Sequence, residues 1–265
     1  MYLRSRGLHR TLLRAVLLAL ILFSSLEALH VRRYVAVARD AARETELRYR
    51  RQEGIFPAPG QVFITGIFWN NEGVLRETIV PALLELSSYL GHGNVFISLH
   101  ESGSGDGTKV VLRELDAELE KRGVERRISM SNTTHEDVLS DADKSSGWIT
   151  PPGSTQKEFR RIPFLARERN VALEPLSELA ASGQTFDKVL FINDVVFSAL
   201  DALTLLATNG GTYAAACAMD FKEPPAFYDT FALRDANGEE HLMATWPYFR
   251  AGASRRAAIR GCRFR

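Results

Sequence analysis

Short apolar runs alternate with longer amphipathic stretches along most of the chain. Val62-Phe-Ile-Thr-Gly-Ile-Phe-Trp69, Asn94-Val-Phe-Ile-Ser-Leu-His100 and Val189-Leu-Phe-Ile192 are strongly apolar or β-branched and read as strands, and Glu125 to Met130 is expected as a further one. Tyr213-Ala-Ala-Ala-Cys-Ala-Met219 reads as a further buried strand that closes at Asp220. Helices are predicted from a cap at Asn70-Asn71-Glu72 to about Tyr89, where Gly91-His-Gly93 stops the run, and from Thr108 to about Arg122. Two more are expected over Gln156 to Ser182 and Asp201 to Ala207. Asn132 to Gly153 is polar and broken by Pro and Gly, as in a long surface or active-site loop. This alternation predicts an α/β fold, a mostly parallel sheet with flanking helices on both faces.

The N-terminus breaks the pattern. Arg4, Arg6, Arg10 and Arg14 precede the uncharged run Ala15 to Leu26. That run is shorter than the ~20 residues of an ideal span. Thr11 to Leu13 and Ala28-Leu29 extend it, with Arg14 snorkelling. A cleaved signal peptide competes, but Ser24-Ser25-Leu26-Glu27-Ala28 is a marginal cleavage site. The upstream arginines place the N-terminus in the cytosol, and the short span suits a thin early-secretory bilayer. The expected organisation is a cytosolic tail over 1–14, a signal-anchor transmembrane helix over 15–29 and a stem over 30–60. A globular domain then occupies 61–256, and an atypical tail 257–265.

Composition excludes some classes. The net charge is +1, so no polybasic surface argues for nucleic acid. Two cysteines, Cys217 and Cys262, make no disulfide scaffold, and Cys217 within the predicted strand reads as an inert core thiol. His92, His100, His135 and His241 lack metal-ligand spacing.

Two stretches carry candidate chemistry. The strand at Val189 ends in Asn193-Asp194, and ligands of open α/β sheets bind outside the carboxyl ends of strands. A carboxylate there suits a hard cation such as Mn²⁺ or Mg²⁺; an Asx turn is the plainer alternative. Glu101-Ser-Gly-Ser-Gly-Asp-Gly-Thr108 joins a strand to a helix through Gly103, Gly105 and Gly107, where free N–H groups favour anions. Glu101, Gly103, Gly105, Asp106 and Asn193 are the nucleotide-contact candidates. The stretch fits neither the dinucleotide nor the Walker pattern, and a tight turn capped by Asp106 is the alternative.

The glycine loop is similar to the Asp-Asp-Gly-Ser-x-Asp-Gly-Thr loop of many GT-A glycosyltransferases. Phe191-Ile-Asn-Asp-Val-Val-Phe197, Thr208 to Asp220, Pro224-Pro-Ala-Phe-Tyr-Asp-Thr-Phe-Ala-Leu-Arg-Asp235 and Thr245-Trp-Pro-Tyr-Phe249 resemble the fungal capsule-associated α-1,3-mannosyltransferase family over about Val62 to Arg256. The resemblance implies a GT-A-like Rossmann-type sheet, a GDP-mannose donor and retaining transfer to the 3-hydroxyl of a mannoside or glycan acceptor. Asn193-Asp194 then stands where such enzymes carry Asp-x-Asp, without the first carboxylate unless Asp187 or Asp220 approaches.

Asp194 is the expected metal ligand, with Asp220 and Asp229 as further catalytic or hydroxyl-binding candidates and Arg160 or Arg161 as assisting cations. Phe227, Tyr228, Phe231, Trp246 and Tyr248 read either as sugar-stacking rings or as packing residues, and Arg234-Asp235 as an exposed pair. The basic end Ser254 to Arg265 lacks the family's Cys-Trp-Asn-Gly-like continuation and reads as truncated, or else as a basic amphipathic tail. The expected setting is the Golgi or ER membrane, single-pass type II, with the domain lumenal. Rival readings are a non-catalytic glycan- or partner-binding membrane protein of the same fold, a UDP-sugar transferase and a secreted form.

Overall fold

The computed structural model describes residues 3–50, 60–132, 148–150, 152–153, 155, 157–159, 161–223, 226–228, 234 and 239–243. Helix α1 (Leu3–Arg50) is followed by β1 (Val62–Phe68), α2 (72–90), β2 (Val95–Glu101), α3 (Thr108–Lys121) and β3 (Glu125–Met130). A two-residue pair, β4 (Trp148–Ile149) with β5 (Glu158–Phe159), precedes α4 (Arg161–Ala181), β6 (Lys188–Ile192) and α5 (Ala199–Leu206). A second small pair, β7 (Phe221–Glu223) with β8 (Ala226–Phe227), comes last among the described residues.

β3, β2, β1 and β6 form one sheet in that order, and every neighbouring pair is parallel. Alternation along the strands divides their side chains between two helical layers. Val62, Ile64, Phe68, Ile97, Leu99, Leu190 and Ile192 join Leu83 and Leu86 of α2, Leu112 and Leu115 of α3 and Leu203 of α5 in one buried cluster. The opposite face carries Phe63 stacked on Phe96 at 5.5 Å, with Phe186 edge-on to Phe63. Helix α4 covers this face. Pro175 lies inside α4 and cannot continue its hydrogen-bond ladder. The nearby Ala172 carbonyl accepts the buried hydroxyls of Thr65, at 3.2 Å, and Ser98, at 2.6 Å, so two polar side chains enter the core with partners.

Helix α2 widens to a π-turn over Leu75–Ile79 before Val80–Leu90 resumes the α pattern. Pro81 supplies the cause, because it lacks the N–H that would bond four residues back. In α1, the 22 residues Leu12–Arg33 are long and apolar enough to cross a membrane and are not buried inside the structure. Leu17, Leu18, Ile21, Leu22 and Phe23 are exposed there, as fits a membrane anchor. The helix continues to Arg50, so much of the expected stem is helical; residues 51–59 lie outside the described residues.

Several expectations need correction. Tyr213 to Met219 is not a strand, and Ala214, Ala215, Cys217 and Ala218 are exposed, so Cys217 is not a core thiol. Alanine fills the stretch with side chains too small to bury much apolar area. Asp220 therefore does not end a sheet strand; it precedes β7, where its carbonyl accepts the Tyr228 N–H at 2.9 Å. The long helix begins at Arg161 rather than Gln156, because Glu158–Phe159 pairs with Trp148–Ile149 instead.

Candidate functional site

From β1 the chain steps outward through β2 to β3, and only later returns to place β6 on β1's other side. That reversal opens a crevice at the carboxyl ends of β1 and β6, the usual ligand position in such sheets. Asn70-Asn71 leaves β1 here, Glu101 to Gly107 leaves β2, and Asn193-Asp194 leaves β6. Asn193 and Asp194 are both exposed.

The three segments are laced together. Asn70 takes a left-handed backbone, φ 53°, which asparagine tolerates better than most residues. Its N–H donates to Ser104 Oγ and its Oδ1 accepts from Gly105 N–H, both at 2.9 Å. Asn71 turns the other way. Its Oδ1 accepts the Trp69 N–H at 2.7 Å and its Nδ2 donates to Asp194 Oδ2 at 3.2 Å. The expected Asn71 cap is absent, since its side chain bonds no N–H of α2.

Capping comes instead from the loop after β2. Asp106 accepts the Glu72 N–H at 3.1 Å and the Thr108 N–H at 3.0 Å. Glu72 returns its carboxylate to the Gly107 N–H at 3.1 Å. Burial pushes the Asp106 carboxyl up, but hydrogen bonds from the Thr108 hydroxyl and from the Glu72 and Thr108 N–H groups hold it below its ordinary value. Glu101 is fully buried: one oxygen accepts the Ser104 N–H, and the other has no hydrogen bond but faces Lys109 Nζ at 3.6 Å. The N–H groups of Ser104, Gly105, Gly107 and Thr108 are thus taken by side chains of the protein itself. An anion that used any of these four N–H groups would displace the side chain that holds it.

The glycines divide by role. Gly103 has φ 80°, which L side chains rarely adopt. At Gly107 a Cβ would fall 2.4 Å from the Glu72 carboxylate. Gly105 has neither constraint, since a Cβ there meets nothing within 4 Å.

Other candidates fall elsewhere. Asp187 stands at the far end of β6, accepting the Gln61 N–H at 2.8 Å, and so supplies no second carboxylate beside Asp194. Among the described residues no group of three or more His, Cys, Asp or Glu is arranged to hold a metal. Asp229, Arg160, Phe231, Asp235, His135, Trp246, Tyr248 and Cys262 lie outside the described residues. Arg161 opens α4, Tyr228 is exposed, and Arg234 pairs with Glu240 at 3.3 Å.

Sequence reasoning left His100 unassigned; it is buried between Ser129 Oγ and Glu168 Oε2, each 2.8 Å from a ring nitrogen. Its place at the end of a continuous apolar strand is the one signal that it would be buried.

Sheet order and helical layers define a Rossmann-type α/β domain, a parallel four-stranded sheet with flanking helices and polar residues at its switch point. The chain belongs to the family described as cryptococcal mannosyltransferase 1, whose family model matches residues 61–264. That name points to a mannosyltransferase, and so to a glycosyltransferase. A search of curated proteins and a search of solved structures each returned no match.

Proposed function

We propose that this protein is a membrane-anchored glycosyltransferase that moves mannose from GDP-mannose to the 3-hydroxyl of a mannoside, with retention at the anomeric carbon. The family match supports the class of enzyme. The observation that carries the site is Asp194, exposed at the switch point and joined through Asn71 to the strand end beside the glycine loop. The donor diphosphate lies in this crevice, between the Asp194 carboxylate and the loop over Glu101 to Gly107.

The donor set fits a hard cation, Mn²⁺ or Mg²⁺. Asp194 offers one exposed carboxylate, and such ions are commonly held by one or two carboxylates plus water and substrate phosphates. When bound, the cation neutralises charge on the departing diphosphate. Asp194 orients that end of the donor; Asp220 and Asp229 are carried as contacts for sugar hydroxyls on the sequence alone. Helix α1 anchors the protein in the Golgi or ER membrane as a type II protein, its domain lumenal.

A non-catalytic glycan-binding protein is the second reading, favoured by loop N–H groups already filled by Glu101, Asn70, Glu72 and Asp106. Turnover separates the two. The full-length protein in detergent should transfer radiolabel from GDP-mannose to an α-mannoside, and not from UDP-sugars. Binding of the α-mannoside with no transfer from any donor would establish the second reading; transfer from a UDP-sugar would overturn the donor assignment.

A further inference from the structure

Every backbone and side-chain polar atom of Asn71 has a partner. Its N–H donates to Thr108 Oγ1 at 2.8 Å, and its carbonyl accepts the Leu75 N–H at 3.0 Å. The Trp69 N–H needs an acceptor, so the amide oxygen must face it and the NH₂ must face Asp194. Thr108, the anchor on the loop side, is fully buried, which fixes the Asn71 backbone. Helix capping does not account for this side chain, because Asp106 performs that role for Glu72. Asn70 meanwhile holds the glycine loop through Ser104 and Gly105. One dipeptide thus addresses the loop with its first residue and Asp194 with its second.

We propose that Asn71 is the positioning residue of the Asp194 carboxylate. Its NH₂ holds one carboxylate oxygen and leaves the other directed to the cation and diphosphate. The proposal rests on the donor-site reading above. Aspartate at this position would keep the acceptor for Trp69 and the side-chain volume, but would turn a second carboxylate onto Asp194. Alanine would remove both contacts. A role confined to the Trp69 turn would leave Asn71→Asp like the wild type; both variants lose the NH₂, and aspartate alone adds a second carboxylate beside Asp194 that can itself take the ion.

The test measures Mn²⁺ and GDP binding to the full-length protein in detergent micelles, with thermal unfolding to verify folding. Asn71→Ala should weaken Mn²⁺-dependent GDP binding about tenfold, while metal-independent GDP binding changes less than about twofold. Asn71→Asp should bind Mn²⁺ without nucleotide at least about threefold more tightly than wild type, because two carboxylates then share the ion. Asn71→Ala added to Asp194→Asn should cost nothing further, as expected of residues acting through one contact. If Asp194→Asn abolishes the Mn²⁺ dependence but both Asn71 variants match wild type, the positioning role is overturned and the donor-site reading stands. If Asp194→Asn also leaves the Mn²⁺ dependence intact, the donor-site reading falls and takes this proposal with it.

Discussion

Glu72 and Asp106 cap each other's helices: the Asp106 carboxylate receives the Glu72 N–H, and the Glu72 carboxylate receives the Gly107 N–H, each at 3.1 Å. Each places negative charge at a helix start, where the helix dipole favours it. Because the Asp106 carboxyl is held below its ordinary value, folding gains from its ionised form. That gain is complete above the unfolded pKa of about 4 and is lost as pH falls through the lower folded value. The melting temperature of the full-length protein should therefore fall as the medium is acidified below about pH 4. Asp106→Asn should lower it at neutral pH and flatten this acid limb. An unchanged limb would remove Asp106 from the acid response.

The three loop glycines should respond differently to alanine. Gly103→Ala should cost about 1–2 kcal/mol for its left-handed backbone. Gly107→Ala should cost about 1 kcal/mol or more by expelling the Glu72 cap. Gly105→Ala should be neutral, or stabilising by a few tenths, since it meets no neighbour and its φ is not left-handed. Denaturant unfolding of the three variants would rank them, and a Gly105→Ala loss as large as that of Gly107→Ala would contradict the geometry.

Asp194→Asn keeps the shape of the strand end and removes its charge. Mn²⁺-dependent GDP binding should fall more than tenfold, that is, by more than ~1.4 kcal/mol. Asp187→Asn is the control: it accepts the Gln61 N–H at the opposite strand end, an acceptor role that an amide oxygen can fill. Superimposable Mn²⁺ titrations for Asp194→Asn and wild type would reduce Asp194 to a turn former.

Deleting residues 1–29 should release the protein from carbonate-washed membranes, because the exposed large apolar side chains of the candidate span run from Leu12 to Leu29 and are all removed. Continued pelleting of the deleted form would show a second attachment.

Strands β1, β2 and β6 were legible because each is a short apolar run with polar residues at its end, as Val189 to Ile192 before Asn193-Asp194 illustrates, whereas β3, Glu-Arg-Arg-Ile-Ser-Met, carries only a weak signal at the sheet edge. Asp194's position at the sheet edge followed from the same transition. Tyr213 to Met219 misled because its residues are apolar in type yet small, so they carry little burial energy to hold an added strand. The glycine spacing marked the loop but not which glycine mattered. Gly107's constraint comes from Glu72, 35 residues away in sequence. The Asn71–Asp194 contact spans 123 residues, and neither side chain advertises the other.

The adjacency of β1 and β6 sets an order of events during synthesis. Gln61 and Asp187, which meet beside this ladder, are 126 residues apart. At about 5–20 residues per second, one edge of β1 waits roughly 6–25 s for the strand that covers it. During that interval β1, β2 and β3 can pair while an apolar edge stays open, a surface on which nascent chains aggregate or recruit chaperones. The crevice, which needs β6 for one wall, is therefore the last part of the sheet to exist.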